Sequence, residues 1–160
     1  QHALPQGDRR AVSPFVGEFF GATELEKLLF GNGLQAGALQ AAYESWLPLA
    51  EAGNSQAQVA LAGLLEGGGP GVARDLDAAA QWYRRAAEAG DPLGQMNLAE
   101  LYRQGRGLPR DLERALAWFT LAAEQGQGWA EQRRGELAAS LAPQERAAAA
   151  ALAERLRPAR

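Results

Sequence analysis

Asp75 and Asp111 open two runs of nearly the same wording, "RDLDAAAQWYRRAAEAGD" from Arg74 and "RDLERALAWFTLAAEQGQ" from Arg110. Two carboxylates can divide general acid and general base work between them, so the pair raises hydrolysis as a function. Little else in the chain supports it. The one histidine is His2 and there is no cysteine. No Ser–His or Cys–His nucleophile and no zinc ligand set can be assembled from what is left. The run "EGGGPGV" from Glu66 is glycine-rich, but it lacks the Gly-Lys-Ser/Thr that a phosphate-binding loop needs. The aspartates also stand a full repeat apart, and each precedes a helical pattern, where a carboxylate accepts from free backbone N–H groups. A carboxylate-dependent hydrolase is the weakest function to draw from these residues. No catalytic residue, metal ligand or cofactor is assigned.

The elements that would position any site are helices. Alanine is abundant, isoleucine is absent, and Thr23 and Thr120 are the only threonines; alanine is the best helix former. A chain of 160 residues fits one domain. The net charge of -3 gives no field that favours nucleic acid or an anionic membrane. No apolar run reaches the length of a membrane span. The chain begins at Gln1 without a signal-peptide pattern, so it is silent on export.

The glycines of "LAEAGN", "AAEAGD" and "AAEQGQ" are Gly53, Gly90 and Gly126, spaced by 37 and 36 residues. Each unit reads as two helices. Ala57, Leu61, Leu64 and Leu65 make one apolar stripe, matched by Gly94, Leu98, Leu101 and Tyr102. Ala79, Trp82, Tyr83 and Ala86 make a second, matched by Ala115, Trp118, Phe119 and Ala122. One helix pair cannot bury such stripes alone, so the code recurs at the stacking period. Trp82 and Trp118 are expected at the joints between repeats. The glycine closing each unit fits a left-handed C′ residue. The extra residue of the first spacing falls in "EGGGPGVARD", which reads as a loop.

These observations divide the chain into an extended arm, residues 1–14, and one repeat domain, 15–160. The domain comprises a partial unit 22–53, full units 54–90 and 91–126, and a degenerate capping unit 127–157. Thr23 and Glu26 form a capping-box pattern in the partial unit. In the capping unit Arg134 and Gly135 replace the earlier Leu and Ala, and Pro143 opens an alanine-rich last helix.

The signature carried by "AQVALAGLLEGGGPGVARDLDAAAQWYRRAAEAG" and "GQMNLAELYRQGRGLPRDLERALAWFTLAAEQG" resembles the Sel1-like repeat family, a relative of the tetratricopeptide repeats. Gly94 stands where the family usually has alanine, and Leu108 where it has valine. The resemblance implies an all-α solenoid: a right-handed superhelix of antiparallel helix pairs, about seven helices here. It also implies a non-catalytic adaptor that binds another protein. Many bacterial members are exported or periplasmic. The residues themselves set no compartment, cytoplasm included.

By the same analogy the first helices of the units line a concave binding face. Stepping off the core stripe selects Gln56 and Val59, then Leu93, Met96, Glu100 and Arg103, then Trp129 and Gln132. Leu93, Met96 and Trp129 would anchor apolar side chains of a peptide, loop or helix, and Glu100, Arg103 and Gln132 would fix its register. Arg103, Arg106, Arg110 and Arg114 gather around one glycine loop. With Asp111 and Glu113 interleaved, this reads first as a mixed-charge surface and second as a dock for an acidic protein. Nucleic acid is the poorer partner for an acidic chain. The structural rival is an assembly subunit that stacks or self-associates through its terminal helices. Exposure of Ala147, Ala150, Ala151 and Leu152 on the last helix would favour it.

Overall fold

The computed structural model describes residues 37–158. The expected arm over 1–14 and the Thr23–Glu26 capping box lie outside the described residues. Seven helices and no strand are present among those described, so the all-α class holds. The described residues fall into two compact units that divide between Trp82 and Tyr83.

The first unit holds α1 (Ala38–Glu51), α2 (Ser55–Gly67) and the start of α3 (Leu76–Glu88). Helix α1 ends because Gly53 takes φ +100, a conformation that strains residues with a Cβ. This lets Gly53 N donate to Ala50 O at 3.1 Å and Asn54 N to Leu49 O at 3.0 Å. Asn54 then starts α2, its Oδ1 accepting from Ala57 N at 2.9 Å. One glycine and one Asx residue turn the corner. After α2, Gly69 and Val72 exchange both backbone hydrogen bonds. That closed turn absorbs the additional residue of this loop. Asp75 N donates back to Leu65 O at 2.8 Å, and Asp75 caps α3 by accepting from Ala78 N at 3.0 Å.

The second unit holds the rest of α3, then α4 (Pro92–Gln104), α5 (Leu112–Glu124), α6 (Gly128–Ser140) and α7 (Pro143–Leu156). Its corner repeats the first. Gly90 has φ +97, Asp91 N donates to Ala86 O at 3.0 Å, and Asp91 accepts from Leu93 N and Gly94 N. Asp111 N returns to Tyr102 O at 3.0 Å and caps α5 through Arg114 N at 3.0 Å. The two aspartates that could have posed as an acid–base pair are therefore spent on helix ends. Helix α5 packs against α4, α6 and α7, with Phe119 fully buried and Trp118 nearly so. The matching ring Trp82 is only half-buried, whereas Tyr83 beside it is fully buried. The Tyr83/Phe119 position is the deeper of the two aromatic places.

Gly94, the departure from alanine, has a packing reason. A Cβ there would lie 2.7 Å from Ala86 Cβ and 2.8 Å from Ala87 N, so α3 and α4 approach over a bare backbone. Gly94→Ala is expected to lower the urea midpoint. Overpacking costs about 1–3 kcal/mol, against a helix-propensity gain of about 1 kcal/mol.

The corner before α6 is the weak one. Gly126 keeps φ +88, but Gln127 occupies the N-cap and makes no side-chain cap bond. Gln127→Asp is expected to stabilise the chain by about 1 kcal/mol, a rise of about 2–4 °C in thermal midpoint, measurable by calorimetry. Helix α7 is better tied. Glu145 accepts from Ala142 N at 2.8 Å, and Arg146 donates to Leu141 O at 2.5 Å, satisfying a carbonyl left free where α6 ends.

Candidate protein-binding face

The first helices α2 and α4 differ from a half-solvated face. Residues 57–66 of α2 are all buried, as are 94–99 of α4 together with Leu101 and Tyr102. Apolar residues on every side of a helix draw it inside, and Gln58, Glu66, Gln95 and Asn97 are buried with them. Val59 and Met96, two residues expected to meet a partner, are fully buried. The 3.6-residue step placed them beside the core stripe, but on these helices the core extends round the whole circumference.

The buried polar residues of these helices hold the chain together. Gln58 Nε2 donates to Ala50 O at 3.0 Å, and Gln95 Nε2 to Ala87 O at 3.3 Å. Each reaches a carbonyl at the end of the preceding helix. Gln125 extends the second case, donating to Gln95 Oε1 at 2.9 Å and to Gly90 O at 3.0 Å. Asn97 donates to Leu93 O at 2.8 Å.

What remains accessible is a smaller set. Gln56 and Gln132 are exposed, while Leu93, Glu100, Arg103 and Trp129 are half-buried. Arg103 and Glu100 pair at 2.5 Å on α4. Gln132 donates to Glu136 at 3.2 Å on α6. Leu93 and Trp129 occupy the same register in successive repeats, 36 residues apart, near the starts of α4 and α6.

Trp129 is the best-supported of these side chains. Arg133 lies over its ring at 4.4 Å from the centroid, in cation–π range. Phe119 approaches it tilted at 6.3 Å and 50°. The ring is held from the core and by a guanidinium while part of it stays open. Arg133 was not singled out for this role, although its i+4 spacing from Trp129 is the signal that places both on one stripe. Glu131 and Arg134 pair on the same helix, and that hydrogen bond holds the Glu131 carboxyl below its usual range. No cluster of three or more His, Cys, Asp or Glu suited to a metal ion occurs among the described residues. No helix among them is long and apolar enough to cross a membrane.

Paired helices with glycine corners, Asx caps and a loop strapped back by an aspartate define an α-helical repeat protein. The Sel1 repeat family model matches residues 55–91 and 92–127; the chain carries two Sel1 repeats, and members of this family are in general protein–protein interaction modules. The chain is similar to the crystal structure of a protective antigen present in uropathogenic Escherichia coli strains and displaying an SLR fold. The TM-score is 0.74 at 27% identity, over 88% of this chain and 29% of that one. It is also similar to a Sel1 repeat protein from Oxalobacter formigenes, with TM-score 0.59 at 29% identity, over 76% of this chain and 48% of that one. The chain spans less than half the length of either. None of the curated proteins matches it.

Proposed function

We propose that this chain is a non-catalytic adaptor that holds a peptide, loop or helix of a partner protein against the accessible residues of α4 and α6. The observation that carries this reading is Trp129, an aromatic ring held by Phe119 and Arg133 yet only half-buried. Tryptophan is enriched among binding hot spots, and a ring already fixed loses little freedom on binding. Leu93 supplies the second apolar anchor, and Glu100, Arg103 and Gln132 supply polar register. Val59 and Met96 are excluded from the contact by their burial. Trp129→Ala is expected to abolish partner capture in a pull-down from bacterial lysate and periplasmic fractions while the helical circular-dichroism signal persists. Equal capture by wild type, Trp129→Ala and Leu93→Ser would overturn the reading.

A second reading, an assembly subunit, draws on α7. Ala147, Ala150 and Ala151 are exposed and Leu152 is half-buried, a smooth face suited to close helix packing. A molar mass by light scattering that rises with concentration would favour it. A constant monomer mass would remove it.

A further inference from the structure

A cleft of about 400 Å³ opens beside the loop 105–111, and none of the α4 and α6 residues just described lines it. Three guanidiniums line it. Arg84 Nη2 donates to the Tyr102 hydroxyl at 3.0 Å. Arg110 Nε donates to Arg103 O at 3.3 Å. Arg114 lies 6.0 Å from the Tyr102 ring centroid and pairs with Asp111 at 3.2 Å. Arg84 and Arg110 form no ion pair among the described residues. Their partners are a hydroxyl and a carbonyl, which fix the side chains without cancelling charge. The other N–H groups of each fork stay available. Of the two carboxylates on its lining, Asp111 is committed to Arg114 and to the α5 cap, and Glu88, exposed one turn beyond Arg84, forms no ion pair with it. Leu108, Pro109, Trp118 and Leu156 supply an apolar wall.

The first unit carries a hollow of about 290 Å³ at the corresponding place, lined by Leu65, Val72, Arg74 and Asp75. One repeat back, Leu47, Leu65 and Ala78 stand where Arg84, Tyr102 and Arg114 stand. Arg74 keeps the place of Arg110 in the first hollow, but Arg84 and Arg114 have no cationic counterpart there, so the repeat scaffold does not demand those two and only the second copy brings several guanidiniums together. The chain as a whole is acidic, which makes two unpaired guanidiniums beside an apolar wall a local feature. Arginine forks match carboxylates in geometry and charge.

We infer that this cleft is a binding site for an acidic side chain of a partner peptide and the apolar residue next to it. The carboxylate sits between Arg84 and Arg110, and the apolar neighbour lies against Leu108, Pro109 and Leu156. The test uses fluorescence anisotropy with dye-labelled octapeptides bearing a central Glu-Phe, a central Gln-Phe, or a C-terminal Phe as free acid. The Glu-Phe peptide is expected to bind roughly tenfold or more tighter than the Gln-Phe peptide, and the gap is expected to narrow in roughly 0.5 M NaCl. R84Q/R110Q is expected to remove that advantage, and Trp129→Ala to leave it intact, which separates this site from the α4 and α6 face. The exposed-site single variant R110Q, and shifts of the Arg84 and Arg110 Nε–H resonances on adding Glu-Phe peptide to wild type, serve if the double variant is unstable. Equal affinity for the Glu and Gln peptides, unmoved arginine resonances, or a free C-terminal acid that binds better than internal Glu-Phe would each overturn the inference.

Discussion

Phe119→Ala is expected to lower the unfolding free energy by about 3–5 kcal/mol, a fall of roughly 6–20 °C in thermal midpoint. The side chain is fully buried on α5, the helix that packs against α4, α6 and α7. Little relaxation is open to a residue walled in by three helices, so the cavity term adds to the lost burial. The ring also braces Trp129 at 6.3 Å. Phe119→Leu therefore separates two roles: it keeps most of the volume, costs less, and still removes the aromatic edge from Trp129. Denaturant titration reads the first effect and partner capture the second. A loss below about 1 kcal/mol in Phe119→Ala, the range of ordinary surface changes and conservative swaps, would contradict the packing described.

Met96→Ser and Leu93→Ser, three residues apart on α4, are expected to behave in opposite ways. Met96 is fully buried. Its truncation costs about 2–5 kcal/mol, and the new hydroxyl adds a desolvation cost wherever it lacks a partner. Leu93 is half-buried near the start of the helix, so its change costs far less and acts on binding. Urea midpoints for the two variants decide the matter. A stable Met96→Ser that loses only partner capture would return Met96 to the binding face and contradict its burial.

The fold was legible because each local signal agreed with its neighbours. Gly53 and Gly90 mark helix ends by their spacing, and both take positive φ. Asp75 and Asp111 read as caps, and both accept from the third residue onward. The binding face was only partly legible, since periodicity finds one core stripe and assumes the rest is wet. Val59 and Met96 failed on that assumption. The corrective signal was charge: "SQAQVALAGLL" and "PLGQMNLA" contain no charged residue, whereas "GWAEQRRGE" in α6 carries four. An uncharged stretch of helix can be enclosed, whereas a run as charged as that of α6 keeps a solvent side; Glu66, buried at the end of α2, is the exception. The stack of Arg133 on Trp129 and the neutral anchoring of Arg84 on Tyr102 depend on rotamers, and on contacts between residues 18 apart that no local pattern encodes.

The corner built from one glycine and one Asx residue also has a consequence for engineering. At Gly53–Asn54 and again at Gly90–Asp91, the residue that stops one helix is covalently followed by the residue that starts the next, and neither needs a third segment to do so. The peptide bond between them is a natural splice point. A cassette excised from Asn54 through Gly90 brings its own start and its own stop, so duplicating or deleting it leaves every junction chemically unchanged. The loop between the two helices of the cassette is free to vary in length, because Asp75 and Asp111 tie its far end to Leu65 and Tyr102 whatever lies between. A short inserted epitope belongs there, between residues 69 and 72 in the longer loop.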